Sequence, residues 1–328
     1  MDLNATTGPA ITAAPHAFPT NTEHSGVSNG SADAPPVEAA GAAAPREPSP
    51  SSPAGPNRRG IGWFLLITFG GSWIPWAIAG VMGWPLSNPI VQLLTGAMMP
   101  GVAAVIVRRW ITREGFADAG LRPRLRQSWR FYLAALLIPV AVLVVGYALS
   151  WVLGLWHPDA ATLGAAAQPL LLGPLLIIAT APIFWGEEFG WTAYLRDRLL
   201  PGRPIATTFA TGLIWAVWHW PLPWVGYFGE GFSATNALIS MLLWVPLSIL
   251  LEFLIGWLWA SSGSVWPSAI IHGGNNLIVS TSLMAGLPSV NSNVLTIIGC
   301  VALVPFVAWV IIVKRAGGSA AAHGTEAR

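Results

Sequence analysis

The chain has 328 residues, 54% of them hydrophobic and only 9% charged, with a formal net charge of +2. Soluble domains carry about 25% charged residues, so the composition excludes an ordinary soluble domain, and so small a net charge gives no reason to expect a nucleic-acid partner. A single cysteine, Cys300, excludes an internal disulfide and a cysteine-based metal cluster.

Residues 1–57 are rich in Ala, Pro, Ser, Gly and Thr. They have too little apolar surface to offset their ordering entropy, so they read as a disordered cytosolic tail. No basic stretch followed by an apolar run marks a signal peptide there. Apolar runs then follow at about 61–81, 89–107, 131–156, 170–194, 205–225, 237–260, 265–285 and 294–313. Each is near the ~20 residues that cross ~30 Å of hydrocarbon. The runs are too long and too uniformly apolar for barrel strands. The expected fold is therefore all-α, a polytopic membrane domain over 58–315 with about eight transmembrane helices. Residues 226–235 read as a loop, and 316–328 as a short flexible tail.

Basic residues set the orientation. Arg58-Arg59, the Arg-rich stretch 108–130, Arg196 to Arg203, and Lys314-Arg315 all fall on one side of an eight-helix arrangement. The loops on the other side, about 82–88, 157–169, 226–236 and 286–293, contain no Lys or Arg. Both termini are expected to be cytosolic. Trp63, Trp84, Trp110, Trp129, Trp156 and Trp224 lie near helix ends, as an interfacial belt would.

Polar residues interrupt three of the apolar runs. Glu187-Glu188 sit in Trp185-Gly186-Glu187-Glu188-Phe189-Gly190-Trp191, His219 follows Trp215 and Trp218, and His272 is joined by Asn276. At 1.5 Å per residue from the cytosolic end of each helix, Glu187 lies roughly 13 Å deep, His219 20 Å, His272 10 Å and Asn276 16 Å. These depths are close enough for one intramembrane polar cavity. His272 and Asn276, at i and i+4, share a helix face, and Gly273-Gly274 leave room there for a neighbour or a substrate. Trp185, Trp191, Trp215 and Trp218 crowd the same region. A lone His or Asn in such a helix is commonly a packed core residue or interhelical glue. Two Glu, two His and an Asn at matched depth are better read as a functional site. Glu252 is a further carboxylate in the sixth run, facing either the site or a polar neighbour.

The ordered set resembles the type II CAAX proteases and their bacterial relatives, the CPBP or Abi family of intramembrane proteases. The family pattern is Glu-Glu-x-x-x-Arg, then Phe-x-x-x-His, then His-x-x-x-Asn, on successive helices. Glu187-Glu188, His219 and His272 with Asn276 match it, Trp215 stands where the pattern has Phe, and the likeness spans about 170–285. One position departs, because the Arg of the first motif is Thr192; Arg196, one turn on, is the candidate to replace it.

The resemblance implies an intramembrane endopeptidase, in the plasma membrane of a bacterium, acting on a membrane-associated peptide or protein, including one with a lipidated C-terminus. Glu187 would act as general base on water, with His219 holding that water. His272 and Asn276 would donate to the oxyanion, and Glu188 would support them. A rival version places a divalent metal, zinc first, on Glu187, His219 and His272; without it no cofactor is required. No Gly-x-Ser-x-Gly or His-Glu-x-x-His signature occurs. Two other classes use the same residue types: a non-catalytic scaffold for membrane peptides, and a proton- or ion-coupled transporter, which would usually show related halves.

Overall fold

The side chain of Asn57 accepts the Gly60 backbone N–H and starts the first helix, α1 (Arg58–Met82). The computed structural model describes residues 57–84, 89–225 and 233–324; the segment 1–56, most of the 226–235 loop and residues 325–328 lie outside them. Helices follow at each of the other seven apolar runs. They are α2 (Leu93–Ile111), α3 (Leu125–Val152), α4 (Ala160–Leu199), α5 (Pro204–His219), α6 (Ala234–Ser262), α7 (Val265–Gly274) and α8 (Ser292–Gly324). α7 continues through a π-helical turn, Asn275–Ser280, into a last helical piece, Thr281–Gly286. No strand occurs among the described residues.

The local chemistry at several helix ends is that of capping. Asp159 and Thr162 form a reciprocal capping box at the start of α4, and the Thr162 backbone N–H holds the Asp159 carboxyl below its ordinary range. Ser233 and Ser264 cap α6 and α7, Pro204 opens α5, and a left-handed Gly263 ends α6.

By length and apolarity six of these helices can cross a membrane: α1, α2, α3, α4, α6 and α8. The protein is a polytopic helical membrane protein. The other two expected crossings have a different build. α5 stops at His219, where a turn and a short 3-10 piece, Leu222–Trp224, take over. α7 is divided by its π-helical turn immediately after His272-Gly273-Gly274. The last helix departs in the opposite sense, running beyond Lys314-Arg315 to Gly324 where a tail was expected. Those two charges mark the end of the apolar run, but Ala-rich sequence beyond them continues the helix.

α4 and α7 pack together at the centre. α2 lies against α4, α3 against α7, α5 against α6, and α8 against α3 and α6. Small residues decide the α2–α4 crossing. A Cβ on Gly186 would come within 2.5 Å of the Ala97 carbonyl, and one on Gly101 within 2.7 Å of the Gly186 carbonyl. Backbones this close gain dispersion contact where no hydrophobic effect operates between helices. The α2–α3 connection is pinned beneath α4 by ions. Arg108, fully buried, reaches Asp118 at 2.7 Å and the Ala193 carbonyl at 3.1 Å, while Arg198 reaches Glu114 at 2.9 Å and Asp118 at 3.0 Å. Partial burial pushes the Asp118 carboxyl up, but the bond and charge of Arg108, with Arg198, hold it below its ordinary range.

Most of the tryptophans divide as their positions suggest, while Trp156, expected in the belt, is half-buried against Tyr147, and Trp185 is half-buried as well. Trp63, Trp84, Trp110, Trp129 and Trp224 are exposed, whereas Trp191, Trp215 and Trp218 are buried beside the Glu pair and His219.

The α2–α4 crossing gives a direct test. Gly186→Val should lower the melting temperature in detergent, since overpacking typically costs about 1–3 kcal/mol. Gly62→Ala, at a position with open space around it, should leave melting unchanged. Equal melting of both variants would mean that the crossing is not held by close backbone contact.

Candidate active site

Glu187 and Glu188 sit on α4 one residue apart and do different things. Both oxygens of Glu188 are taken: Thr192 Oγ1 donates to Oε2 at 2.6 Å, and His272 Nδ1 lies 2.9 Å from Oε1. Glu187 Oε2 accepts the indole N–H of Trp215 at 3.1 Å. Glu188 is 1% exposed and Glu187 7%. Of the pair, then, Glu188 is the more enclosed, with both oxygens bonded, and Glu187 the less.

The two histidines are set by similar logic. His219 Nδ1 lies 2.8 Å from the Trp215 carbonyl. A carbonyl can only accept, so Nδ1 carries the proton and Nε2 of the neutral ring is left as an acceptor. The ring sits among Trp215, Trp218 and Trp244, with centroids 5.4, 4.8 and 5.2 Å away. His272, 2% exposed, is placed by Glu188 at Nδ1 and packs against Phe184 and Trp215 at 5.0 Å each. With Nδ1 taken, its Nε2 is the nitrogen left over.

A cavity of about 190 Å³ adjoins these groups, and His219, His272, Trp215, Asn275, Asn276 and Ser280 are among its lining residues. Glu187 does not line it directly but stands against it through Trp215. The expected residues therefore come together in two layers. His219, His272 and Asn276 face the cavity, and each carboxylate is bonded to a ring that faces it.

Sequence reasoning missed two members. Asn275 is buried and lines the cavity beside Asn276, to which it donates at 3.3 Å. The i, i+4 rule pointed past it because it assumes an α-helix, and the backbone here is π-helical from Asn275 onward. The sequence places Trp215 only among the tryptophans that crowd the region, yet its indole holds Glu187. A Trp in place of Phe four residues before the His was the available signal. Gly273 and Gly274 leave no room for a substrate, since Phe184 and Pro139 occupy the space beside them.

Residues 166–278, which contain the Glu pair, both histidines and both asparagines, match the family model described as type II CAAX prenyl endopeptidase Rce1-like. Over that stretch the chain is similar to the family. Its members are peptide-bond hydrolases, and this chain is an intramembrane protease of that kind. No curated protein matches the chain.

Against the pattern of that family the absent arginine is the main departure. Thr192 occupies its place and spends its hydroxyl on Glu188. Arg196 is directed elsewhere. Its Nη1 donates to Glu252 Oε2 at 2.7 Å and its Nη2 to Thr208 Oγ1 at 2.6 Å. Gly256 makes the space, for a Cβ there would collide with the guanidinium. Arg196 and Glu252 thus form a buried ion pair joining α4, α5 and α6. Among the described residues neither is paired with Glu187 or Glu188.

The metal set Glu187, His219 and His272 does not fit an ion. Among the described residues, no group of three or more His, Cys, Asp or Glu is arranged to hold one. His219 and His272 line the cavity, whereas Glu187 does not and is turned to the Trp215 indole. No step below runs through a metal.

The buried pair can be tested apart from the chemistry. Arg196→Met leaves Glu252 buried and uncompensated, which typically costs about 3–5 kcal/mol. Melting temperature should fall, and the double variant Arg196→Met, Glu252→Leu should recover most of it. Equal melting of single and double variants would show that the two side chains are not coupled.

Proposed function

We propose that the protein hydrolyses a peptide bond of a membrane-associated substrate with a water activated by Glu187. The observation that carries this reading is the meeting of Glu187, His219 and His272, from three helices, beside one cavity. Glu187 is the general base of the pair because both oxygens of Glu188 are held, by Thr192 and His272. His219, with Nδ1–H spent on the Trp215 carbonyl, offers Nε2 as an acceptor that orients the water. The attacked carbonyl carbon becomes tetrahedral and its oxygen takes up the charge. The side-chain amides of Asn275 and Asn276 face the cavity as donors to that oxygen, joined by His272 Nε2–H when the ring, whose Nδ1–H is held by Glu188, is doubly protonated. Glu188 supports His272 from behind, as a buried carboxylate orients the histidine of a serine-protease triad. The proton taken by Glu187 then passes to the leaving amine.

The family description names a prenyl endopeptidase, so a prenylated C-terminal peptide, cut to release its last three residues, is the substrate to offer first. The mass of the peptide before and after incubation reads the reaction. Glu187→Ala and His219→Ala should lose about 10²–10⁴ in rate, as removal of a general base or its partner does. Asn276→Ala should keep a measurable trace, since its neighbour Asn275 faces the same cavity. Enzyme stripped with a strong chelator should keep its rate. Folded Glu187→Ala, His219→Ala and His272→Ala proteins that cleave at the parent rate would end the assignment. A parent protein that binds the peptide without cutting it would favour a scaffold.

We further propose a bacterial plasma-membrane protein with both termini in the cytosol, the orientation that the loop charges favour. Reporter fusions before Arg58 and after Arg315 should both read cytosolic; opposite readings would require an odd number of crossings.

A further inference from the structure

Trp215 makes two bonds that no other residue of the site combines. Its indole N–H donates to Glu187 Oε2 at 3.1 Å, and its main-chain carbonyl accepts from His219 Nδ1 at 2.8 Å. The side chain is 3% exposed, and the rings of His219 and His272 meet it near edge-on, at interplanar angles of 64° and 78°. It is thus locked between the two histidines while it holds the carboxylate.

The residue type matters. Where this chain has Trp215, the family pattern has Phe, and a benzene ring has no N–H to donate. Where the pattern has an arginine after the Glu pair, this chain has Thr192, committed to Glu188. The next arginine, Arg196, is committed to Glu252 and Thr208. Glu187 has therefore lost a candidate cation on its own helix and gained a neutral donor from α5. A glutamate side chain is otherwise free to turn about three bonds, and misplacing a reacting group by about 1 Å can cost about 10²-fold in rate.

We propose that Trp215 is a positioning residue of the reaction: through its indole it fixes the Glu187 carboxylate, and through its carbonyl it fixes the ring of His219, so that base and water-holding histidine keep one mutual geometry. This rests on the endopeptidase reading above and assigns the orienting role to a residue that the family pattern does not use for it. The groups acting on Glu187 are His272 on α7, Trp215 on α5, its neighbour Glu188 on α4, and the indole of Trp191, one turn further along α4. Among them only Trp215 bonds both halves of the pair.

The test compares Trp215→Phe with the full-length parent in detergent. The ring is kept and only the donor is lost. The expected result is a kcat lower by up to about 100-fold, the loss that misplacing a reacting group by about 1 Å can bring. KM and melting temperature should be unchanged, and the acidic limb of the pH–rate profile should move to higher pH, because the carboxylate form has lost a donor. In a Glu187→Gln background the same substitution should cost nothing more. An unchanged kcat, or a loss of rate matched by a loss of folded protein with an unmoved pH profile, would overturn the proposal in favour of simple packing. A second readout needs no turnover. In protein labelled with ¹⁵N-tryptophan, the Trp215 indole resonance, identified by its absence in Trp215→Phe, should shift in Glu187→Ala. If it does not shift, the bond is not made and the inference fails. If the parent cleaves no peptide while the resonance shifts, the endopeptidase reading fails and the Trp215–Glu187 contact stands.

Discussion

A carboxylate surrounded by hydrocarbon has to find its partners inside the protein, because no water is there to take their place. α4 and α6 carry three such carboxylates: Glu187, Glu188 and Glu252. Each is answered by a side chain from another helix: Trp215 from α5, His272 from α7, and Arg196 from α4 to Glu252 on α6. The arrangement of α4, α5, α6 and α7 is in this sense dictated by the charges. Removing one partner strands the other at a cost comparable to a large part of a protein's net stability. The same bonds that make the bundle permissible therefore also orient its chemistry.

The two clusters on α4 differ in kind. Arg196 and Glu252 are both held within the protein and joined further by Thr208, which makes them a fastening between helices. His272 lines the cavity, with Glu188 bonded to it from behind and Glu187 bonded to the cavity-lining Trp215. Position relative to that cavity separates the two clusters. Burial does not, since Arg196 is 9% exposed and Glu187 7%.

How much of this could be read from the sequence depended on the range of the interaction. The eight apolar runs and the meeting of the Glu pair with two histidines follow from hydrophobic length and from depth along each helix, both local quantities. The destination of Arg196 was not legible in that way. It sits one turn after Thr192 and so invites pairing with the Glu motif, yet its partner lies 56 residues away on α6. Glu252 was visible as an intramembrane carboxylate that needed something, and Gly256 one turn on was a sign that a large side chain lay across that face. Asn275 was lost for another reason: helix-face arithmetic presumes 3.6 residues per turn, and no residue pattern announced the change of helix type.

That change occurs twice near the site, in the same relation to it. α4 becomes π-helical at Trp191, directly after the glutamates, and the α7 segment does so at Asn275, directly after His272. In both places glycine precedes the wider turn, Gly190 on α4 and Gly273-Gly274 on α7, and in both the glycine is in tight contact with a neighbour, with Pro100 on α2 or with Phe184 and Pro139. Close helix contact on one side and a widened turn on the other are compatible demands on the same segment. The contact fixes the backbone just before the turn, and the turn redirects the side chains that follow. On α4 it leaves Thr192 bonded back to Glu188 and sends Arg196 to α6. On the α7 segment it brings consecutive asparagines to one cavity, which a regular helix would set about 100° apart. Local irregularity of this kind is common at functional sites. Here it explains how three apolar helices with few polar residues can still present several polar groups to a single point.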